Sequence, residues 1–181
     1  LVLAWTISGV CNDLLMTADF VSNTLAASSI PAGILPATVF LIAAGLSFST
    51  GTSWGTFGIL IPIVVPAATA LNPDLLIVSL AATLGGSVFG DHCSPISDTT
   101  ILSSTGAACN HIDHVATQLP YTLLVAACCF VGYLVAGFTS GNLVATLGIS
   151  ALLMLTSVRL LARLGENKGP SGGLAAESKN S

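Results

Sequence analysis

The residues best suited to chemistry lie between Gly85 and Ser104, within a long apolar region. The segment holds two carboxylates, and hydroxyl and imidazole side chains lie close by: Asp91, His92, Ser94, Ser97, Asp98, Thr99 and Thr100. Carboxylates, hydroxyls and free backbone carbonyls are hard oxygen ligands that suit a hard cation such as Na⁺. A bilayer penalises such polar groups, so their presence in an apolar region indicates a functional site.

The two aspartates are alternative ligands for one cation. We favour Asp98, because four hydroxyl residues adjoin it in sequence and would complete an oxygen shell: Ser94, Ser97, Thr99 and Thr100. Asp91 would lie where a half-helix stops near Gly90, and the unpaired carbonyls there also attract a cation. We predict that one of these carboxylates holds Na⁺ and H⁺ in alternation, since either ion neutralises it.

Simpler roles for the same residues stay open. Asp98 would also serve as a helix N-cap, Asp91 as an interface residue and His92 as a structural hydrogen-bonding residue. His111 and His114, three residues apart, would share a helix face and form a metal-binding, titrating or merely solvated pair.

Enzymatic chemistry is poorly supported by the motifs. An intramembrane aspartyl protease requires G-x-G-D, whereas Asp91 follows Val-Phe-Gly. The H-E-x-x-H zinc motif does not occur in the sequence. We therefore predict no enzyme, and keep an intramembrane enzyme or a non-transporting scaffold as remote alternatives.

The composition indicates an integral membrane protein. Of 181 residues, 53% are hydrophobic and only 7% are charged, whereas soluble domains carry about 25% charged residues. The partner that this composition requires is the lipid bilayer. Four Lys and Arg residues without a basic stripe argue against nucleic acid. Five cysteines without a C-x-x-C pair imply no structural disulfide.

The apolar runs predict an all-α, polytopic helical bundle with two discontinuous helices. Each has a polar break between two apolar runs: 34–48 and 57–71 flank Ser49–Thr56, and 75–89 and 101–109 flank Gly90–Thr100. Each pair would cross the membrane once or fold back as a re-entrant hairpin. Pro95 would keep the second break from closing into a helix, and Thr52 or Ser53 would cap the helix after the first.

The first break would contribute further oxygen ligands from the opposite side of the site. Its candidate residues supply hydroxyls and backbone carbonyls: Ser49, Thr50, Gly51, Thr52, Ser53 and Thr56. Trp54 in the same break, and Trp5, would anchor the chain at the membrane interface.

The remaining segments complete the predicted membrane domain. Residues 1–11 predict the end of a membrane helix, and a short amphipathic helix follows to about Ser29. A polar connector is predicted over His111–Pro120, and uninterrupted spanning helices over Tyr121–Thr139 and Leu143–Val158. We expect a membrane transport domain over residues 1–164 and a disordered tail over 165–181.

The basic residues predict the orientation of the chain. All four follow the last apolar run: Arg159, Arg163, Lys168 and Lys179. The positive-inside rule therefore predicts a cytoplasmic carboxyl terminus. Counting helices back from that end places the connector at residues 111–120 in the cytoplasm as well.

Three motifs resemble the NhaC-type sodium/proton antiporter family of the ion-transporter superfamily. They are GTSWGT at 51–56, GDHCSPISDTT at 90–100 and HIDHVATQLPY at 111–121. The resemblance runs from about Ala4 to Tyr121 and matches the carboxyl-terminal half of such a transporter. Together with the start of the chain inside an apolar run, this implies that an amino-terminal half lies outside the sequence.

The resemblance also implies an activity and a location. The expected activity is exchange of Na⁺ for H⁺ across the cytoplasmic membrane of a bacterium or archaeon, without a cofactor. Some relatives exchange organic acids such as malate and lactate with coupled ions, which is the alternative function. A homo-oligomer stays open.

Overall fold

The computed structural model describes residues 31–167, with side chains to 163, and the isolated residues Thr6, Val10 and Met16. In this part of the chain, all regular elements are helical, so the predicted all-α fold is confirmed. The α-helices are α1 Leu35–Thr50, α2 Ser53–Leu71, α3 Leu76–Cys93, α4 Asp98–Gly106, α5 His111–Phe138 and α6 Leu143–Asn167. Short 3-10 helices at Ala32–Ile34 and Pro73–Leu75 precede α1 and α3.

Five of these helices are long and apolar enough to cross a membrane. The exception is α4, whose 9 residues span about 14 Å against a hydrocarbon thickness of about 30 Å. The second broken segment is therefore one long helix followed by a short one, whereas both halves of the first, α1 and α2, reach spanning length. The helices predicted before Ser29, with Trp5 and Cys11, and the tail beyond 167 lie outside the described residues.

The helix directions place both breaks at one end of the bundle. Leu35 and Val39 near the start of α1 share a cavity of about 310 Å³ with Val64 and Ala67 toward the end of α2, so these helices fold back on each other. Helix α3 then returns parallel to α1. We call the end that contains residues 51–52 and 94–97 the break end.

Helices α5 and α6 continue the alternation. The Gln118 side chain donates a hydrogen bond to the His92 carbonyl over 3.1 Å, and the Tyr133 hydroxyl donates one to the Ala81 carbonyl over 2.9 Å, so α5 is antiparallel to α3. A turn at residues 139–142 then leads into α6. We call the end of the bundle that contains this turn the far end.

The backbones of α1 and α3 approach each other closely, and this contact depends on glycine. A Cβ atom added at Gly90 would meet the Ala44 carbonyl oxygen and lie 2.8 Å from the Phe48 amide nitrogen. Gly86 packs against the Phe40 carbonyl in the same way. Small residues allow such close backbone approach in membrane helices. Beside this contact lies a core cluster formed by Val39, Phe40, Ala43, Leu60, Val64 and Ala82.

Both breaks are shorter than predicted. The first is reduced to Gly51 and Thr52, because Ser49 and Thr50 end α1 while Ser53 and Thr56 lie in α2. The second is reduced to residues 94–97, since α3 continues past Gly90 to Cys93. The predicted helix end near Gly90 is therefore wrong: nothing before Pro95 forces the helix to stop.

The predicted polar connector at His111–Pro120 is also wrong, because these residues form the first turns of α5. Asn110 caps this helix: its side-chain oxygen accepts hydrogen bonds from the Ile112 amide over 2.9 Å and the Asp113 amide over 3.4 Å. A polar N-cap satisfies amides that have no partner within the helix. Helix α6 begins at Leu143, as predicted, and runs past Val158 to Asn167.

Candidate functional site

The two breaks contact each other at the break end. Gly51 has a φ of +66°, and a Cβ atom there would lie 3.0 Å from both the carbonyl oxygen and a side-chain carbon of Ile96. The positive φ and the close approach both favour glycine. Thr52 then caps α2, as predicted, by accepting a hydrogen bond from the Gly55 amide over 3.4 Å.

Asp91 lies in the last turn of α3, is only 4% exposed, and is the buried carboxylate of this region. The Ser97 hydroxyl donates to its Oδ1 atom over 2.6 Å. Thr99 Oγ1 lies 2.7 Å from the same Ser97 oxygen. Because Ser97 has one proton and gives it to the carboxylate, Thr99 donates to Ser97. The exposed Thr99 thus connects the buried carboxylate to the surface through one intervening hydroxyl.

Asp98 occupies a different environment. It is exposed, and its Oδ1 accepts a hydrogen bond from the Thr99 amide over 2.8 Å. It is the first residue of α4 and follows the N-cap position, Ser97, so it is not the N-cap itself. A negative charge there interacts favourably with the helix dipole.

The hydroxyls therefore do not form the shell around Asp98 that the sequence suggested. Ser97 bonds to Asp91, while the Thr100 hydroxyl donates to the His92 carbonyl over 3.3 Å. The buried Ser94 hydroxyl accepts a hydrogen bond from the Ile96 amide over 3.4 Å. Consecutive residues of a helix point about 100° apart, so nearness in sequence did not bring these side chains to one carboxylate.

The carbonyls at the end of α3 are less available than expected. The Asp91 carbonyl accepts a hydrogen bond from the Ser94 amide over 3.1 Å. The His92 carbonyl accepts two, from Thr100 over 3.3 Å and from Gln118 over 3.1 Å. The Asp91 side chain is therefore a stronger candidate cation ligand than these carbonyls.

The three histidines make hydrogen bonds around the second break, and none of these bonds reaches the Asp91 carboxylate. His92 is exposed, and its ring donates to the Val88 carbonyl of its own helix over 2.8 Å. His111 donates through Nε2 to the Pro95 carbonyl over 2.7 Å, and its Nδ1 lies 3.0 Å from the Ser104 hydroxyl. His114 Nε2 lies 3.3 Å from the Ser103 hydroxyl.

His111 and His114 thus tie the start of α5 to α4 and to the second break. Within the part of the chain that the structure describes, no three His, Cys, Asp or Glu side chains are grouped to hold a metal ion. Of the roles considered for this pair, bracing an interface between helices fits the hydrogen bonds.

No Lys or Arg precedes residue 159 in the sequence. The described helices α1 to α5 therefore offer Asp91 no lysine or arginine as a counter-charge. An isolated buried carboxylate is costly unless it is neutralised. A bound cation or a bound proton would neutralise it.

Sequence reasoning missed three buried hydroxyl residues on α3: Ser79, Thr83 and Ser87. They precede Asp91 at intervals of four residues, which was a detectable signal for a shared helix face. Ser47 on α1 was also overlooked; its hydroxyl donates to the Ser87 carbonyl over 2.6 Å.

Comparison with known proteins gives a consistent family relationship. The sequence profile of the Na⁺/H⁺ antiporter family matches residues 1–138. An uncharacterized protein of Haemophilus influenzae is 49% identical over 158 residues, which cover 86% of this chain and 30% of that protein. No solved structure gives a significant match.

Two further relatives have names that state an activity. The malate-2H⁺/Na⁺-lactate antiporter of Bacillus subtilis is 33% identical over 112 residues, covering 62% of this chain and 24% of that protein. An uncharacterized Na⁺/H⁺ antiporter of Haemophilus influenzae is 37% identical over 87 residues, covering 48% of this chain and 18% of that protein. The chain spans less than a third of the length of these curated relatives.

Proposed function

Because this chain belongs to the Na⁺/H⁺ antiporter family, we propose that it forms the ion-binding part of a transporter that exchanges Na⁺ for H⁺. The observation that carries the proposal is the buried Asp91 carboxylate, which accepts a hydrogen bond from Ser97 and has no Lys or Arg on the described helices α1 to α5. The rest of the transporter would come from sequence outside this chain.

The proposed mechanism is competition between two cations for Asp91. An isolated buried carboxylate is costly unless it is neutralised, so the site is stable when it holds either Na⁺ or H⁺. If only the neutralised site changes the side to which it opens, each Na⁺ that leaves must be replaced by a proton. Exchange then proceeds without a net leak.

The Ser97–Thr99 pair provides the proton route in this proposal. When Asp91 is ionised, Thr99 donates to Ser97 and Ser97 donates to the carboxylate. When Asp91 is protonated, the carboxyl can donate to Ser97 and the direction of both bonds reverses. The two hydroxyls therefore suit either form of the site and link it to the break end.

We propose that the break end faces the cytoplasm. Helix α6 runs from the far end toward the break end, and every Lys and Arg of the chain lies at or beyond residue 159. A cysteine at Ser171, in the complete transporter without its native cysteines, should resist an impermeant maleimide in intact cells and react after permeabilisation. Ready labelling in intact cells would reverse the orientation.

The alternative solute is an organic acid, as the name of the Bacillus relative suggests. The two breaks and the helix turns beside them contain carboxylates and hydroxyls but no Arg or Lys. An organic anion commonly pairs with Arg, Lys or the positive end of a half-helix. The start of α4 near Thr99 offers such a helix end, and this favours organic-acid exchange as the second candidate.

A vesicle assay separates the two solutes. We expect Na⁺ added to inverted membrane vesicles to dissipate a preset pH gradient without malate or lactate. Vesicles that lack the transporter give the background, and Li⁺ tests a second small monovalent cation. A strict requirement for malate or lactate would contradict Na⁺/H⁺ exchange and favour the alternative.

A further inference from the structure

Helix α3 carries a column of buried polar side chains that extends from Asp91 toward the far end. Ser79, Thr83 and Ser87 are each 0% exposed, and Asp91 is 4% exposed. Four residues rise about 6 Å along a helix, so the column covers roughly 18 Å of a hydrocarbon layer about 30 Å thick. Polar groups over this length of a membrane helix require an explanation.

Two of the three hydroxyls have hydrogen bonds within the helix. Thr83 donates to the Ser79 carbonyl over 2.9 Å, and Ser87 donates to the Thr83 carbonyl over 2.7 Å. Each of these bonds uses the only proton of the hydroxyl. The oxygen lone pairs remain able to accept a hydrogen bond from water or to bind a cation.

The Ser79 hydroxyl has no hydrogen-bond partner among the residues that the structure describes, although it is fully buried. A buried hydroxyl without a partner destabilises the folded protein. Such a group in a native protein commonly indicates a water molecule or an ion. Ser79 is therefore the position in the column that points most directly to a ligand.

Ser79 also lies next to the far end. The neighbouring Val78 packs against the 139–142 turn, where a Cβ atom added at Gly141 would lie 3.1 Å from a Val78 methyl carbon. The column thus begins just behind the last turn of the bundle and ends at the candidate ion ligand.

Close helix packing alone does not account for these residues. Alanine permits the same approach without a buried hydroxyl, and Ala82 on the same helix is fully buried in the apolar core cluster. A packing role predicts that the hydroxyls can be removed at no cost to transport. A role in conduction predicts the opposite.

We infer that Ser79, Thr83 and Ser87 line a water-accessible path along which a small monovalent cation moves between Asp91 and the far end. Ser79 is its outermost site. The inference rests on the proposed function in one respect, namely that Asp91 is the ion ligand. Ser97 and Thr99 would connect Asp91 to the break end, so the two routes reach the carboxylate from opposite sides of the membrane.

Cysteine accessibility tests the path without requiring transport. Ser79→Cys, Thr83→Cys and Ser87→Cys are made singly in the complete transporter after its native cysteines are replaced, with Ala82→Cys as the buried control. A small, positively charged, membrane-impermeant methanethiosulfonate is applied from the far side, and Ser140→Cys in the exposed turn marks that side. Only a hydrated thiol forms the reactive thiolate, so Ser79→Cys should react roughly tenfold faster than Ala82→Cys or more.

The outcomes separate this inference from the proposed function. Labelling of the column cysteines in an Asp91→Asn background would support the path even if exchange is lost. Na⁺ should slow the labelling of Ser87→Cys, which is nearest to Asp91. Equal rates for Ser79→Cys and Ala82→Cys would overturn the inference, whatever the vesicle assay shows.

Hydroxyl removal gives a second test if a cysteine variant does not insert. Ser79→Ala and Thr83→Val remove a hydroxyl with little change of shape. We expect each to slow Na⁺-driven proton movement about tenfold, as the loss of one hydrogen bond to the ion or its water would. Thermal stability should be unchanged or higher for Ser79→Ala, since an unpaired hydroxyl is removed. Unchanged transport in both variants would assign the column to packing.

Discussion

The two breaks share a position and differ in chemistry. Both lie at the break end and contact each other at Gly51 and Ile96. The first consists of a left-handed glycine and a threonine cap, and it reverses the chain between two helices of spanning length. The second follows a buried carboxylate, contains Pro95 and leads into a helix too short to cross.

The two breaks therefore have different expected roles, one structural and one in ion binding. The first break has a structural role, because its compact turn allows Ile96 to approach the Gly51 backbone. The second supplies chemistry, because its Ser97 hydroxyl reaches the Asp91 carboxylate. If this is correct, substitutions in the first break should affect mainly stability, and substitutions at the carboxylate should affect mainly transport.

The largest expected effect is on exchange, from Asp91→Asn. The amide keeps the shape of the side chain but cannot alternate between an ionised and a protonated form, so exchange in vesicles should be lost. The amount of inserted protein should stay near that of the parent. Asp98→Asn is the matched control and should retain most exchange, because Asp98 is exposed.

If Asp98→Asn loses exchange and Asp91→Asn retains it, the ion-binding carboxylate is Asp98 and not Asp91. If both single variants keep pH-dependent exchange, neither carboxylate carries the proton and the mechanism proposed above is wrong.

The next effect concerns the α1–α3 contact that holds Asp91 in place. Gly90→Ala would press a methyl group against the Ala44 backbone, and overpacking of this kind costs about 1–3 kcal/mol. We expect a lower unfolding temperature in detergent and reduced exchange. Gly45→Ala is the control, since a Cβ atom there meets nothing within 4 Å. Equal behaviour of the two variants would contradict the close contact.

A smaller effect is expected at the first break. Gly51→Ala puts a side chain on a residue with a φ of +66°, at a cost of about 1–2 kcal/mol. The contact with Ile96 adds strain. Denaturant unfolding should report the loss, while the apparent affinity for Na⁺ should change little. A large change in Na⁺ affinity would show that the first break also takes part in binding.

The smallest effect is expected for Thr52→Ala. Loss of the cap on α2 should cost about 1 kcal/mol of unfolding free energy. Thr52→Ser should restore most of it, because the hydroxyl again accepts from the Gly55 amide. Loss of exchange in Thr52→Ala with unchanged stability would contradict a purely structural role for the first break.

Some features of the two breaks and of the neighbouring helices could be predicted from the sequence alone. The density of glycine and hydroxyl residues located both breaks, and Thr52 was identified as a cap candidate. Helix starts were clearest where a polar turn precedes an apolar run, as at Leu143. The segment after Asn110 was predicted as a connector because its side chains are polar, although Asn110 and Asp113 together form a helix-start pattern.

The choice between Asp91 and Asp98 could not be made from sequence proximity. It depends on whether the helix before Asp91 continues, and that fixes the direction of the carboxylate. It depends also on the contact between α1 and α3, whose paired residues lie forty or more positions apart, as Ser47 and Ser87 do. The regular spacing of Ser79, Thr83, Ser87 and Asp91 was the available signal that this part of α3 is helical.

The most direct test of the central claim is the pH dependence of the apparent Na⁺ affinity in inverted vesicles. If Na⁺ and H⁺ compete for the Asp91 carboxylate, the Na⁺ concentration for half-maximal exchange should fall as pH rises. At pH values where protons occupy most of the sites, this Na⁺ concentration should fall about tenfold for each unit of pH, because the binding of the two ions is reciprocally linked. Asp98→Asn should leave this dependence intact. A half-maximal Na⁺ concentration independent of pH, or a dependence abolished by Asp98→Asn, would contradict the account.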